Sequence, residues 1–422
     1  MKGVWPESYL HNPRPNKPIE QIWDDLDAYS FEELYELPAY QKSIGFVVPL
    51  PPLIHNHHFM KGFCYTQGAR LLINRFPDLQ KLFFVCANSM CFSYPWSHQA
   101  DCFFTCYRNP ARESYYKNKY PETKNIICLP LQDADFTNDK TVSPIPNTPK
   151  TIDIFCVSTA FPVKNIPIIA QSLKIYEQKY GHRLKVVYAI GSHEARKLSD
   201  GTLDYSAMSD YAKAPLRAVD SILGHTKAYI DFIPYIQYSD LPKYYSAAKC
   251  GVLGSLIEGK NRFLSEGMSC DMPVIVFKDF NQFARGDYPV FFGNSGEYVP
   301  EFTAESLADT IRKVLMNPQN YSPRDNYLKY SGRRNFVRTV IRNIPYYKEN
   351  LPAYKTGDAL SNQWINTACQ HLYQTDYESF LYGARSDISN VIGLEHISQL
   401  LKKYFDIFGL PFREILPEQP SK

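Results

Sequence analysis

Short apolar runs alternate with stretches of helical periodicity along most of the chain. Runs rich in β-branched and aromatic residues are typical of strands that are buried on both faces of a parallel sheet. The runs predicted as strands are 44–50, 81–87, 100–107, 125–131, 152–158, 184–191, 228–235, 250–256 and 273–277. Between two of them, the stretch 165–181 predicts a helix that ends at a glycine. The alternation predicts an α/β fold class.

A polar, proline-rich stretch at 137–151 separates the predicted strands into two series. Each series predicts a Rossmann-like, doubly wound parallel sheet, and we expect the two domains to face each other. We expect the C-terminal segment, 323–422, either to cross back onto the first domain or to form an oligomer contact. The predicted parts are an N-terminal extension with one helix (1–43), a first Rossmann-like domain (44–140), a linker (141–151), a second Rossmann-like domain (152–322) and a helical C-terminal segment (323–422).

The composition narrows the class of protein. Of 422 residues, 44% are apolar and 21% are charged, which is typical of a soluble globular protein, and a net charge of +3 does not favour nucleic acid as a partner. No apolar run approaches the roughly 20 residues that span a bilayer, and the N-terminus lacks the apolar core of a signal peptide. The ten cysteines lack a C-x-x-C pair. They predict reduced thiols in a cytoplasmic protein.

Two glutamates carry the clearest candidate chemistry. Glu258 falls in the loop after the strand 250–256, at the carboxyl end where open α/β sheets bind ligands. We expect the next helix to begin near Asn261 or Arg262, so that Glu266 lies about one turn into it. A helix N-terminus favours an anion such as a diphosphate, and the two carboxylates would then bracket a nucleotide sugar. The alternative is an ordinary helix surface, because 43 acidic residues supply such a spacing by chance.

Four segments of the second domain, found in order, resemble the nucleotide-binding half of glycosyltransferase family 4. These enzymes retain the anomeric configuration of the transferred sugar and have the GT-B fold, in which the second domain binds the donor and the first domain lies on the acceptor side. The resemblance implies this fold and this activity for the chain. The matching segments are "VSTAFPVKNIPIIAQSLK", "SDLPKYYSAAKCGVLGSLIEG", the E-x7-E motif in "EGKNRFLSEGMSCDMPVIV", and "GEYVPEFTAESLADTIRKVLMNP".

The resemblance implies a role for three residues. Glu258 would contact the donor sugar, Glu266 the nucleotide ribose, and Lys164 the diphosphate, where its charge would stabilise the leaving group. Lys164 as an ordinary solvated lysine remains the alternative. The family generally needs no metal or other cofactor. Further donor-binding positions are expected at Gly259, Lys260, Asn261, Arg262, Gly191, Thr159 and Gly62.

The chain departs from the family pattern at two places. Thr159 stands where the family usually has an arginine, five positions before the lysine, so Lys260 or Arg262 would have to supply the missing charge. The turn "GSHE", which begins at Gly191, replaces a G-D-G-P-type turn. These departures leave a second hypothesis open, a catalytically degraded scaffold or binding subunit. A dinucleotide-dependent oxidoreductase is disfavoured because no G-x-G-x-x-G follows a predicted strand.

The loop 51–62 contains His55, His57 and His58 and ends at Gly62. In the family the loop after the first strand approaches the diphosphate and the acceptor, so His57 and His58 are expected as catalytic-cleft residues. Structural or surface histidines are the alternative. Metal binding is a third reading, although H-x-H-H without a carboxylate or cysteine partner is a weak ligand set. His98 is a further candidate of the same kind.

The expected partners are a nucleotide-sugar donor and the hydroxyl group of a glycan, lipid-linked or small-molecule acceptor. Two basic and aromatic segments, 107–120 and 330–343, suit peripheral association with an anionic membrane surface. They are equally explained as solvated helix faces. The sequence therefore predicts a cytoplasmic protein, with the membrane surface as an open possibility, and leaves the oligomeric state undetermined.

Overall fold

The computed structural model describes residues 18–27, 37–55, 58–88, 99–106, 109–256, 258–278, 294–350 and 390–416. The chain divides into two compact units. We call Asp139–Gly332 unit 1, and we call the described residues of Lys17–Asn138 together with those of Arg333–Lys422 unit 2. Each unit contains one main sheet with helices, so the predicted α/β class is confirmed.

The first part of unit 2 contains short helices and mostly short strands. Its helices are α1 (Ile19–Asp27), α2 (Pro38–Gln41), α3 (Ala69–Arg75), α4 (Leu79–Leu82) and α5 (Pro110–Lys119). Its strands are β1 (Gly45–Leu50), β2 (Leu53–His55), β3 (His58–Met60), β4 (Gly62–Thr66), β5 (Phe83–Ala87), β6 (Cys102–Phe104) and β7 (Ile127–Leu129). The helix predicted in the N-terminal extension is α1, and its Trp23 is buried in the core of the unit.

Unit 1 follows as a second series of strands and helices. Its helices are α6 (Ile166–Tyr180), α7 (Asp210–Leu223), α8 (Leu241–Ala247), α9 (Arg262–Ser269), α10 (Ala304–Met316) and α11 (Pro323–Tyr330). Its strands are β8 (Ile152–Val157), β9 (Val186–Ala189), β10 (Arg196–Lys197), β11 (Leu203–Asp204), β12 (Ile230–Ile233), β13 (Ala248–Leu253), β14 (Val274–Phe277) and β15 (Gly296–Val299). As predicted, α6 ends at Gly181, which caps the helix with a φ of +76°.

The main sheet of unit 1 is parallel throughout the described strands. Its strand order is β12-β9-β8-β13-β14-β15, and β10 and β11 form a separate antiparallel pair. The central strands are almost wholly buried, as their runs of apolar residues predict. The parallel arrangement brings the carboxyl ends of these strands to one edge, where the candidate site lies.

Unit 2 is completed by the end of the chain. The added elements are α12 (Gly332–Asn343), α13 (Pro345–Asn350), β16 (Asn390–Ile392) and α14 (Leu394–Ile407). Phe336, Val337 and Val340 of α12 enter the core beside Phe63 and Tyr65, so the apolar face of this basic segment covers the sheet. The C-terminal segment 323–422, predicted as helical, also contains a strand, because β16 pairs with β1 in the main sheet of unit 2.

The main sheet of unit 2 differs from the expected parallel sheet at β1. In the described residues its order is β16-β1-β4-β5-β6-β7, with β4 to β7 parallel and β1 antiparallel to both of its neighbours. Between β1 and β4 the described residues form the small β2–β3 pair and no helix. A parallel connection needs a longer crossover, usually a helix, so this short connection reverses the strand direction.

The reversal at β1 places the connection 51–61 at the amino ends of β4 to β7. Leu50 at the end of β1 pairs with Phe63 at the start of β4. Gly62 is required there by close approach, because a Cβ atom would lie 2.4 Å from the Leu50 carbonyl oxygen and 2.6 Å from the Pro52 nitrogen. Helix α3 begins at Ala69, after the end of β4.

The residues predicted as a linker lie within unit 1 and are hydrogen-bonded to other parts of it. The Ser269 hydroxyl donates to the Val142 carbonyl at 2.5 Å, the Ile145 amide donates to the Ser246 hydroxyl at 2.9 Å, and the Lys150 ammonium donates to the Ala248 carbonyl. The cysteines in the described ranges are free thiols, nearly all buried, as predicted. Across these same ranges, the structure contains no helix whose length and apolar character would let it cross a membrane.

Candidate functional site

The carboxyl edge of the parallel sheet collects most of the predicted site residues. Thr159 and Lys164 follow β8, Gly191 follows β9, and Glu258 follows β13. Because these strands are parallel, their following loops lie at the same edge, which is where open α/β sheets bind ligands. The predicted residues of unit 1 are therefore brought to one edge of one sheet.

The loop between β13 and α9 has the predicted organisation. Helix α9 begins at Arg262, and the side chain of Asn261 caps it by accepting a hydrogen bond from the Phe263 amide at 2.9 Å. Asn261 thus has a structural role, because an N-cap side chain satisfies an amide that the helix leaves unbonded. Gly259 and Lys260 lie in the same loop, and Lys260 is buried.

Lys164 and Glu258 form an ion pair. The Lys164 ammonium lies 2.5 Å from Glu258 Oε1, and the Ser255 hydroxyl donates to the same oxygen at 2.7 Å. The exposed fractions of the two charged side chains are 19% and 9%. Lys164 is therefore not an ordinary solvated lysine. A buried charged pair is costly to assemble, so its presence at the ligand-binding edge of the sheet calls for a functional explanation.

Close packing between two loops brings this pair together. Lys164 ends a short 3-10 turn, and the Leu256 amide donates to the Val163 carbonyl at 2.8 Å. Gly254 allows the contact, because a Cβ atom there would lie 3.1 Å from the carbonyl oxygen of Asn165. The sequence separation between Lys164 and Glu258 is 94 residues, so the contact depends on the pairing of β8 with β13.

Glu266 is buried one turn into α9. Its side chain is 6% exposed, the Tyr245 hydroxyl donates to Oε2 at 2.8 Å, and Arg262 Nε lies 3.6 Å from Oε1. Burial raises the pKa of Tyr238 to about 12, and the negative charge of Glu266 acts in the same direction. Burial and Glu266 also raise the pKa of Tyr245. Glu266 is thus part of a polar cluster and does not belong to an exposed helix surface.

Arg262 and Lys260 are the two candidates for the charge that Thr159 does not supply. The Arg262 side chain is 55% exposed, and its guanidinium lies 5.7 Å from the centre of the Tyr238 ring. Lys260 is only 9% exposed. Thr159 is exposed, and its carbonyl accepts a hydrogen bond from Ser158. Arg262 therefore has more freedom to reach an incoming anion than Lys260 has.

Gly191 lies beside an aromatic pair that the sequence did not single out. Gly191 has a φ of +60°, in the left-handed region that glycine tolerates best. Beyond it, the exposed rings of His193 and Tyr235 lie 4.1 Å apart, and the Ser192 amide donates to the Pro234 carbonyl at 2.8 Å. The pair forms because β9 and β12 are neighbours, which no local sequence signal indicates.

The sequence did not identify Ser255 and Tyr245 as the hydrogen-bond partners of Glu258 and Glu266. Ser255 occurs three positions before Glu258, and Tyr245 lies 21 positions before Glu266. A serine between a buried strand and a candidate carboxylate is a signal that the sequence does offer. The contact of Tyr245 is long-range, and no spacing rule would find it.

The predicted residues of unit 2 are placed differently. His55 ends β2 and His58 begins β3, whereas His57 and His98 lie outside the described residues. The described part of the connection that carries His55 and His58 forms the β2–β3 pair and joins β4 at its amino end. Gly62 lies at the same amino edge. In the part of the chain that the structure describes, no group of three or more histidine, cysteine, aspartate or glutamate side chains is arranged to hold a metal ion.

Residues 218–335 match the family model described as "Glycosyl transferases group 1". This segment ends shortly beyond Gly332, the last residue of unit 1. It includes Tyr238, Tyr245, Glu258, Arg262 and Glu266. Lys164 lies outside it. Comparison with curated protein sequences finds no match.

Three solved structures illustrate the likeness of the fold. Sucrose-phosphate synthase from Thermosynechococcus elongatus is 17% identical, with a TM-score of 0.46 over 64% of this chain and 68% of that one. S. aureus TarM, in complex with fondaparinux, α-GlcNAc-glycerol and UDP, is 13% identical, with a TM-score of 0.45 over 62% of this chain and 51% of that one. Anabaena HepE in complex with UDP is 11% identical, with a TM-score of 0.42 over 66% of this chain and 74% of that one. This chain thus spans about half the length of TarM.

Proposed function

We propose that the chain is a retaining glycosyltransferase that transfers a sugar from a nucleotide-sugar donor to a hydroxyl group of a glycan, lipid-linked or small-molecule acceptor. The observation that carries the proposal is the Lys164–Glu258 ion pair, with Glu258 buried and Lys164 largely so, at the carboxyl edge of a parallel sheet, beside the N-terminus of α9. The family match over residues 218–335 supports the same class of reaction.

Lys164 and Glu258 have complementary roles in the proposed reaction. The bond between the anomeric carbon of the sugar and the diphosphate oxygen breaks, and the acceptor oxygen bonds to the same face of that carbon. The acceptor proton passes to the leaving phosphate, which needs no separate general base. Lys164 stabilises the negative charge on the diphosphate, and Glu258 positions the sugar hydroxyls. Glu258 is not proposed as a covalent nucleophile.

Glu266 and the start of α9 hold the nucleotide in this proposal. The amides at the N-terminus of α9 and the charge of Arg262 face an incoming diphosphate, which makes a metal ion unnecessary for charge neutralisation. Glu266 accepts hydrogen bonds from the ribose hydroxyls. Gly259, Lys260 and Gly191 line the same edge, and Thr159 contributes no charge. Gly62 and His58 are left out because the connection that contains them joins β4 at its amino end, and no role is proposed for His57, which lies outside the described residues.

One observation favours a second candidate, a binding or scaffold subunit without turnover. Thr159 is exposed and uncharged, and the charge of Lys164 is already balanced by Glu258 in this structure. Such a chain would bind a nucleoside diphosphate weakly and would transfer no sugar. The two candidates differ in a single measurable property, the breakdown of a bound donor.

A donor screen tests the proposal. UDP, GDP and ADP, and then the sugar donors of the nucleotide that binds, are titrated against the full chain by calorimetry, and slow donor hydrolysis is followed by release of the nucleoside diphosphate. We expect one nucleotide class to bind and its sugar donor to be hydrolysed. In Glu258→Gln the rate of hydrolysis should fall more than the nucleotide affinity does.

Two results would contradict the proposal in different ways. Binding of a nucleotide without hydrolysis of any of its sugar donors would favour the scaffold candidate. Equal losses of affinity and hydrolysis in Glu258→Gln would mean that Glu258 holds the nucleotide and does not position the sugar. The change to glutamine retains an acceptor for Ser255 and Lys164, so the loop conformation is preserved in this comparison.

A further inference from the structure

We propose that Tyr245 is a positioning residue that orients the carboxylate of Glu266 for ribose recognition and thereby sets the preference of the site for ribonucleotides over 2′-deoxyribonucleotides. The inference rests on the proposed function, because it assumes that Glu266 accepts hydrogen bonds from the ribose. Tyr245 itself does not touch the nucleotide. Its contribution is to hold one oxygen of the group that does.

The geometry supports a fixed orientation of both side chains. Tyr245 is fully buried on α8, and its hydroxyl donates to Glu266 Oε2 at 2.8 Å. Its ring packs edge-on against Phe155, with centroids 5.3 Å apart, and tilted against Phe263, with centroids 6.1 Å apart. Phe263 belongs to the same helix as Glu266. The hydroxyl is therefore anchored by core packing and cannot follow a movement of the carboxylate.

A glutamate needs such an anchor to bind two hydroxyl groups at once. The last side-chain torsion of glutamate is broad, so the plane of an unrestrained carboxylate rotates easily. A bidentate interaction with the two hydroxyls of a ribose requires one particular plane. The hydrogen bond to Oε2 selects it, because the donor atom is held by the packed ring. Preorganisation of this kind improves affinity by reducing the cost of ordering on binding.

The protonation state of Tyr245 agrees with its proposed role as a permanent donor. Burial, and then the neighbouring charge of Glu266, raise the pKa of the Tyr245 hydroxyl well above its ordinary value. The hydroxyl therefore stays protonated at every pH at which the protein is expected to work.

The neighbouring tyrosine provides a matched control. Tyr244 is half-buried on the same helix, and its ring stacks on the ring of Phe155, with centroids 5.4 Å apart. The bond to Glu266 is made by Tyr245 and not by Tyr244. Removal of either hydroxyl leaves the aromatic packing in place. A general effect of losing a hydroxyl from α8 would appear in both variants, whereas an effect on Glu266 would appear in one.

The experiment measures a ratio of affinities on the full chain. The nucleoside diphosphate that binds best among UDP, GDP and ADP is compared with its 2′-deoxy counterpart by calorimetry, for the wild type, Tyr245→Phe, Tyr244→Phe and Glu266→Gln. Both ligands are measured on the same sample, so partial unfolding does not change the ratio. Tyr245→Met, with a flexible apolar side chain that fills irregular cores, is the second variant without the hydroxyl.

We expect the wild type to bind the ribonucleotide at least about tenfold more tightly, since a hydrogen bond to a charged group contributes that much or more. In Tyr245→Phe and in Glu266→Gln the ratio should fall severalfold towards one, and in Tyr244→Phe it should be unchanged. A wild-type ratio retained in Tyr245→Phe, or in Tyr245→Met if the first variant does not fold, would overturn the positioning role alone. A wild type that does not distinguish the two ligands would instead overturn the ribose assignment of Glu266 in the proposed function.

Discussion

Both units of the chain contain a main sheet of six described strands, but the strands run differently in the two. In unit 1 every described pair in this sheet is parallel, so Lys164, Gly191 and Glu258 follow strands that end at the same edge. In unit 2, β1 is antiparallel to β4, so the connection 51–61 lies where β4 to β7 begin. The loops after β8, β9 and β13 therefore lie at the carboxyl edge of the unit 1 sheet, whereas the connection after β1 joins β4 at the amino edge of the unit 2 sheet.

Buried charges occur in both units, and their position distinguishes them. Asp78 of unit 2 is almost fully buried and is bonded by Arg413 at 2.5 and 2.9 Å and by Lys81 at 2.7 Å. It precedes α4 and β5, and it attaches the end of the chain to the unit. Lys164 and Glu258 instead lie at a carboxyl edge. A buried ion pair alone therefore does not identify a functional site, whereas its place relative to strand direction does.

The largest effect should come from the charge at the carboxyl edge of unit 1. In Lys164→Gln, we expect the turnover of the donor to fall about 100-fold, which is the usual consequence of removing one preorganised group that stabilises developing charge. Glutamine retains a donor for Glu258, so the thermal midpoint should change little. Lys179→Gln, at an exposed pair with Asp309, is the matched control and should lose less than twofold. Similar turnover in the two variants would remove Lys164 from the site.

A change at the amino edge of unit 2 should lower stability without altering the chemistry. In Gly62→Ala the new methyl group would lie 2.4 Å from the Leu50 carbonyl oxygen, and we expect the free energy of unfolding to fall by about 1–3 kcal/mol. Gly45→Ala is the control, because among the described residues other than its chain neighbours none comes within 4 Å of the added carbon. Urea denaturation measures both. A lower turnover per folded molecule in Gly62→Ala would place this edge in the active site after all.

A smaller effect, which depends on pH, is expected at the buried carboxylate of Asp78. Hydrogen bonds from Arg413 and Lys81 hold the pKa of Asp78 well below its ordinary value. The resulting stabilisation is fully present above the unfolded pKa of about 3.9 and is lost as the pH falls towards the folded pKa. Arg413→Ala should lower the free energy of unfolding only slightly at pH 7, because Arg413 is largely exposed and Lys81 remains.

The pH dependence is the diagnostic part of this prediction. The difference in unfolding free energy between the wild type and Arg413→Ala should be constant from pH 7 to about pH 5 and should shrink below about pH 4. A difference that does not depend on pH would mean that the arginine stabilises unit 2 by packing and not through Asp78.

The smallest effect is expected at the histidines. Since His58 begins β3 at the amino edge of β4 to β7, His58→Ala should change the turnover of the donor by less than twofold. Steady-state kinetics with the donor identified by the screen measure this. A loss comparable to that of Lys164→Gln would mean that strand direction does not decide where this chain places its catalytic groups.

Much of unit 1 could be predicted because its signals are local. The apolar runs identify the strands, the glycine after α6 marks the end of that helix, and Asn261 marks the beginning of α9. Glu258 and Glu266 were found in the same way, from a loop after a strand and the first turn of the next helix. Their partners Ser255 and Tyr245 were not found, although Ser255 lies only three positions away.

The division between the two kinds of information is physical. Periodicity and side-chain type determine which residues form strands and helices, because local sterics and burial act on neighbouring positions; this much followed for the chain from its sequence alone. The direction of β1, the pairing of β9 with β12 and the 94-residue contact between Lys164 and Glu258 depend on how distant segments pack. Only the tertiary structure decided that one set of polar loops meets at a common edge while the other lies at the opposite edge of its sheet.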